Sequence, residues 1–425
     1  MSERSQCVEI LEQILEQKIF YNNIKADIDE KNTAFCNIVV LNALRHLTGL
    51  EKTIKQFLIK KIPQKNRILR YILLSALTEI MFLNSPEYAI INEYVNIAKK
   101  KTDKFAANMV NAVLRKIVAQ KQNLLSEPQL PEHFLKILNQ DYSKLQIKKI
   151  SQSAMCEAPL DLSIKENHEF WAKELGGMLF SNGTVRIHNA KTKISNLKGY
   201  NDGMWWVQDL AASLPVMLLG DVSNKKVLDL CAAPGGKTAQ LLAKGAKVTA
   251  VDIDNNRMEK LKQNMARLHL SENLETVVAD GLDFLQNNRN VFDIIVLDAP
   301  CSATGTFRKH PEVLHFKTMQ DVLKQVDIQE KLLFSAIRAL KPQGLILYCT
   351  CSISKHEGEY IIEKVLTEHN NIKLLNADIK KINVFEGKNL SNDIINNGVL
   401  RTLSYYEENY GGMDSFFAAC LQKNN

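Results

Sequence analysis

The 425-residue sequence lacks both glycine signatures that commonly mark a nucleotide site. There is no GxGxxG, which argues against a dinucleotide pyrophosphate, and no GxxxxGK[ST], which argues against a triphosphate held by a P-loop. Its eight cysteines (Cys7, Cys36, Cys156, Cys231, Cys301, Cys349, Cys351, Cys420) include no CxxC pair, so neither a disulfide framework nor a structural zinc site is expected, and no metal is assigned. No apolar run reaches the roughly 18 residues of a membrane span, and the first residues, MSERSQC, form no apolar leader segment. The expectation is a cytoplasmic protein away from membranes, with its thiols kept reduced.

Charge is not spread evenly. The formal net charge is +7, yet residues 1–50 carry 5 basic and 7 acidic side chains and residues 51–130 carry 14 basic and 6 acidic. The excess concentrates at Lys52, Lys55, Lys60, Lys61, Lys65, Arg67 and Arg70, then at Lys99, Lys100, Lys101 and Lys104. An excess confined to one segment points to a nucleic-acid face. The plainer reading is a solvated basic helix surface.

The length calls for two or three domains. Residues 1–125 show helical apolar spacing run after run, as in VEILEQIL (8–15), IVVLNAL (38–44) and ILRYILLSAL (68–77), with breakers at Gly49, Pro63 and Pro86. This predicts an all-α N-terminal bundle. Residues 126–214 open on a linker-like SEPQLP and read as a small α/β connecting domain. Trp205 and Trp206 in it could stack on bases, although adjacent tryptophans more often pack at a seam. Residues 215–425 alternate strand and helix, which predicts a mostly parallel, doubly wound α/β sheet with its site at the strands' C-terminal edge. Residues 370–397, rich in Asn and Lys, read as loop.

The centre of this last part is VLDLCAAPGGKT (227–238): an apolar strand, a glycine turn and a helix start. Such a turn lets a ligand approach the backbone and offers it free N–H groups. Carboxylates then end three successive strands, at Asp252, Asp280 and Asp298. One acid in such a place is often a helix cap. Three of them beside a glycine loop describe a ribose-and-adenine site, as an S-adenosylmethionine pocket would be.

Two further strands end in DAPCS (298–302) and CTCS (349–352), bringing Cys301 and Cys351 toward the edge that holds Asp298. Carbon 5 of a pyrimidine is a poor nucleophile. A thiolate adding at carbon 6 makes it enamine-like and able to take a methyl group, and a proton donor at the ring nitrogen, such as protonated Asp298, favours the addition. A second thiol can assist release. The plainer reading, buried structural cysteines, is accepted for Cys349.

With these residues in view, CAAPGGKT, VDID (251–254), DAPCS and TCS resemble, in order and spacing, the RNA (cytosine-5)-methyltransferases of the NOL1/NOP2/Sun family. NSPEYAIINEYVNIAKK (84–100) and MVNAVLR (109–115) resemble the NusB-like RNA-binding domain. Together they resemble the bacterial small-subunit ribosomal RNA branch across nearly the whole chain. The resemblance implies a Rossmann-like sheet that binds S-adenosylmethionine through Cys231, Ala232, Ala233, Pro234, Gly235, Gly236, Lys237, Asp252, Asp280 and Asp298. It implies Cys351 as the nucleophile, Cys301 as the releasing thiol, and a cytosine of 16S ribosomal RNA as target. A monomer is expected. Three alternatives stay open: tRNA or another ribosomal RNA as substrate, a non-catalytic RNA-binding assembly factor, and exchanged roles for the two thiols. Ser163 and Lys165 stand where the family reads Arg-Val-Asn. Arg308 and Lys309 after Pro-Cys could meet a phosphate or simply be solvated.

Overall fold

The computed structural model describes residues 1–121, 128–188 and 192–424. The chain forms two compact units. One comprises Met1–Lys136, Ala154–Cys156 and Phe307–Phe316; the other comprises Ile137–Ser153, Glu157–Thr306 and Lys317–Asn425. Residues 126 and 127 of the expected linker lie outside the described residues.

The first unit is helical. Helices Glu3–Gln17, Thr33–Arg45, Leu47–Phe57, Ile68–Phe82, Glu87–Lys101 and Lys104–Ala119 enclose one apolar core. Helix Ile68–Phe82 is central because it is apolar nearly all round, with Leu69 and Tyr71 through Ile80 buried. Its Glu79 is fully buried and is paired with Arg4 at 2.6 Å. Pro63 and Pro86 fall between helices as expected, but Gly49 lies inside Leu47–Phe57, where the flanking apolar residues hold the helix together. Lys99, Lys100 and Lys101 occupy the last turn of their helix, where cations also complement the helix dipole. Asp103 caps the next helix by accepting the Ala106 N–H at 2.8 Å.

This unit is completed by a segment far along the chain. Glu312, fully buried, accepts the Tyr21 N–H at 3.1 Å, and His315 Nε2 lies 2.7 Å from the Leu44 carbonyl oxygen. Arg45 donates to the Arg308 carbonyl at 3.3 Å, and the rings of Phe307 and Phe134 meet edge to face at 6.0 Å.

The second unit holds two sheets. The small one contains β1 (Leu160–Ile164), β2 (Met178–Leu179), β3 (Thr184–Ile187) and β4 (Trp205–Val207) in the order β2-β3-β1-β4, all antiparallel. A buried ion pair fastens it: Arg186 Nε and Nη2 each reach Asp161 at 2.7 Å.

The large sheet contains β5 (Lys226–Leu230), β6 (Lys247–Asp252), β7 (Leu274–Val278), β8 (Phe292–Asp298), β9 (Leu340–Thr350), β10 (Ile372–Leu375), β11 (Ile395–Asn396), β12 (Val399–Thr402) and β13 (Phe416–Lys423). The order is β11-β12-β13-β9-β8-β5-β6-β7, with β10 also on β13. The strands β5 to β9 pair in parallel, and β13 joins β9 antiparallel. This is a Rossmann-like order that reverses direction at β5, the position where such sheets open a ligand crevice. The central parallel strands β5, β6, β8 and β9 are buried on both faces, hence their runs of Val, Ile and Leu, whereas β7 lies at the edge with no fully buried residue. Residues 370–397 are not all loop: Ile372 to Leu375 pair with Cys420 to Lys423, because this short apolar run covers the edge of β13.

Candidate active site

The glycine loop follows β5. Cys231 (φ 61°) and Gly235 (φ 101°) turn the chain, and helix Gly236–Ala243 begins at once. Ala232 and Ala233 are buried, Pro234 is exposed, and burial pushes the Cys231 thiol up to about 12.

The three acids have different settings. Asp252, at the end of β6, is buried and accepts the Ala233 and Asp254 N–H groups at 3.0 Å each, bracing the glycine loop. Asp280 is exposed and caps helix Gly281–Gln286, accepting from Leu282 N at 2.8 Å and Asp283 N at 3.3 Å. Asp298, at the end of β8, is half-buried, with Oδ2 2.8 Å from the buried Lys237 Nζ. Burial alone would lower the Lys237 pKa. The Asp298 carboxylate outweighs it, with Cys349 and Asp229 acting in the same direction, and leaves the ammonium more firmly protonated than usual.

The two expected thiols come together. Cys301 follows β8, Cys351 follows β9, and their Sγ atoms are 3.3 Å apart, both residues half-buried. The Cys301 thiol is held well above its ordinary pKa, first by its hydrogen bond with Cys351 and then by burial. Cys349 is fully buried in the sheet, its Sγ 3.6 Å from Asp298 Oδ1, and burial pushes its thiol up.

Other expected contacts are structural. Trp205 and Trp206 are buried in β4, their ring N–H groups donating to the Lys198 carbonyl (2.8 Å) and Gln208 Oε1 (2.9 Å), so neither offers an open face to a base. Ser163 Oγ donates to Gln208 Oε1 at 2.7 Å, and Lys165 Nζ to the Leu268 carbonyl at 3.1 Å. Arg308 is neither solvated nor open to a phosphate: it is 1% exposed and packed in the helical unit.

One residue is absent from the sequence reading. Asp229, inside β5, is fully buried. Its Oδ2 accepts the Thr238 hydroxyl at 2.5 Å, while Oδ1 has no partner among the described residues. Burial raises its pKa to about 7, against the Thr238 hydrogen bond, with the Asp298 charge adding to the rise. The available signal is a lone carboxylate in a strand that is otherwise apolar, since such a group needs a partner. An orphaned acid beside the glycine-loop helix fits a ligand bearing an ammonium, as S-adenosylmethionine does. Among the described residues no group of three His, Cys, Asp or Glu side chains could hold a metal, and no helix is long and apolar enough to cross a membrane.

Comparison with known proteins gives the family. A family model described as 16S rRNA methyltransferase RsmB/F matches residues 216–422, and one for the NusB family matches residues 1–119. Ribosomal RNA small subunit methyltransferase B of Proteus mirabilis is 31% identical, covering 86% of this chain and 91% of that protein. The protein of the same name in Photorhabdus laumondii is 28% identical over 99% of this chain and 98% of its own length. Among solved structures, PH0851 superposes over 100% of this chain and 99% of its own with a TM-score of 0.74 at 21% identity. A methyltransferase homologue protein from Pyrococcus horikoshii covers 69% of this chain and 100% of its own at 0.53 and 24% identity. These two likenesses concern the fold. On these family models and on relatives matched along most of its length, the chain belongs to the RsmB/F family of 16S rRNA methyltransferases, with a NusB-family helical region in front.

Proposed function

We propose that this protein transfers a methyl group from S-adenosylmethionine to carbon 5 of a cytosine in small-subunit ribosomal RNA, through a covalent cysteine–cytosine intermediate. The observation that carries this reading is the Cys301–Cys351 pair, 3.3 Å apart beside the Asp298–Lys237 ion pair. Bound S-adenosylmethionine supplies an electrophilic methyl group on a sulfonium. The loop from Cys231 to Lys237 holds it, with Asp252 bracing the loop, Asp280 at the adenosine side and Asp229 meeting its ammonium.

Cys351 attacks. Its thiolate adds to carbon 6, the ring electrons move toward carbon 5, and a proton is accepted at the ring nitrogen from the Asp298–Lys237 pair. After methylation the ring-nitrogen proton returns to that pair, Cys301 gives its own proton to the departing Cys351 sulfur and takes up the carbon-5 proton, and the bond between Cys351 and carbon 6 breaks. The cytosine must leave its stack to meet both groups. Residues 1–125 form the RNA-binding front end, 126–214 the connecting part and 215–425 the catalytic part of a monomer acting in the cytoplasm.

Variants distinguish the thiols. Cys301→Ala should accumulate a covalent RNA–protein adduct visible on denaturing gels, and Cys351→Ala should give none. The reverse pattern exchanges the roles. Bisulfite sequencing of total RNA from cells lacking the gene names the target, and loss of a methyl group only from tRNA would overturn the ribosomal assignment.

A further inference from the structure

The two cysteine loops share a buried carboxylate that the chemistry above leaves unused. Glu357 ends the short turn Lys355–Glu357 after β9 and is fully buried. Its Oε1 accepts the Ser302 N–H at 2.7 Å and Gln329 Nε2 at 3.0 Å. Its Oε2 accepts the hydroxyls of Ser302 and Ser352, each at 2.5 Å. Ser302 follows Cys301 directly, and Ser352 follows Cys351.

The rest of the turn is anchored too. The Glu357 carbonyl accepts the Tyr348 and Thr350 hydroxyls, both at 3.0 Å, which fixes it to β9. Gln329 also donates to the Pro300 carbonyl at 2.9 Å, just before Cys301. Thr304 Oγ1 lies 3.0 Å from both serine hydroxyls. A buried carboxylate is costly unless its lone pairs are met, and here four neutral donors meet them. Two of these come from the Cys301 loop and one from the Cys351 loop. An amide oxygen could not accept all four.

We propose that Glu357 is the positioning residue of the thiol pair: its carboxylate clamps the Cys301 and Cys351 loops together and so sets the approach of the two sulfurs. This rests on the reading of Cys301 and Cys351 as the reacting thiols. Glu357 acts through the serines and hydrogen-bonds to neither sulfur. Its charge adds to the hydrogen bond that Cys301 makes to Cys351 and to burial in keeping the Cys301 proton in place.

The test uses the full chain with Glu357→Gln, Ser302→Ala and Ser352→Ala, alone and combined, each also in the Cys301→Ala background. Glu357→Gln is expected to fold, since its amide oxygen can face the Ser302 N–H and Gln329 while its NH2 faces hydroxyls that can rotate. Displacing reacting groups by about 1 Å costs on the order of 100-fold, so methyl transfer and adduct formation should slow by about that factor with RNA affinity unchanged. Each serine variant should slow both by a smaller factor and add nothing once Glu357 is Gln. The pH midpoint for alkylation of Cys301 should fall in Glu357→Gln. If Cys301→Ala traps an adduct and adding Glu357→Gln leaves its rate unchanged, the positioning role is overturned while the thiol assignment stands. If Cys301→Ala traps nothing, the thiol reading fails and takes the proposal with it. Should Glu357→Gln fail to fold, Ser352→Ala decides: an unchanged adduct rate overturns the clamp.

Discussion

Asp229 shows what a single side chain can contribute without being legible in the sequence. In KVLDL it reads as one polar interruption of a strand, and only the folded sheet reveals an acid with an unpaired oxygen. Its pKa is raised to about 7, chiefly by burial. Between the ordinary carboxylate range and about 7 the folded state keeps this proton while the unfolded chain has lost it. The folded state therefore binds more protons in that window. The Asp229 contribution to stability should fall as pH rises through it and level off above about 7. Asp229→Asn should flatten this part of the pH profile. Urea midpoints for both proteins from about pH 5 to about pH 8 provide the check, and equal slopes would refute the assignment. Because an ammonium ligand favours the ionised acid, S-adenosylmethionine affinity by calorimetry should rise through the same window in the parent and not in Asp229→Asn. The thiols are the opposite case: DAPCS and TCS carry them in plain view just after strand ends.

At the scale of elements, the two cysteine loops are stitched together by backbone. Gly305 N–H donates to the Cys351 carbonyl at 2.9 Å, and Ser415 N–H donates to the Gly305 carbonyl at 3.1 Å. A Cβ on Gly305 would lie 2.0 Å from the Ser415 oxygen and 2.8 Å from the Cys351 oxygen, both backbone atoms that cannot swing aside. Gly305→Ala should therefore cost about 1–3 kcal/mol in stability through overpacking. It should also slow single-turnover methyl transfer by on the order of 100-fold, because the loops must part. A rate within threefold or so of the parent would show that the loops tolerate separation. The central parallel strands β5, β6, β8 and β9 are legible because burial on both faces forces continuous apolar runs. The strand β10 is not, because its four residues sit in an Asn- and Lys-rich stretch and become a strand only by pairing with β13. Glu357 is hidden for the same kind of reason: a glutamate in SKHEGE reads as surface, and its four donors come from three separate segments.

At the scale of the whole molecule, chain order and spatial order diverge. Residues 307–316 follow the Cys301 loop, yet they supply core to the helical unit formed by the first part of the sequence. Adjacent residues gave no hint of this. Arg308, Lys309 and His310 look like a solvated basic loop, whereas the partners that bury Arg308 and Glu312 lie more than 250 residues earlier, at Arg45 and Tyr21. Phe307 isolates the effect, since it is fully buried against Phe134 and bears no charge. Phe307→Ala should cost roughly 3–5 kcal/mol, the usual range for emptying a buried aromatic site. The loss should be local to the helical unit even though the mutated residue lies between β8 and β9 in sequence. Hydrogen exchange read peptide by peptide tests this. Protection should fall in helices Thr33–Arg45 and Ile68–Phe82, and the amides of β5, β6 and β8 should keep theirs. Loss of protection confined to the sheet would mean that residues 307–316 stabilise the catalytic unit, and the division of the chain would have to be redrawn.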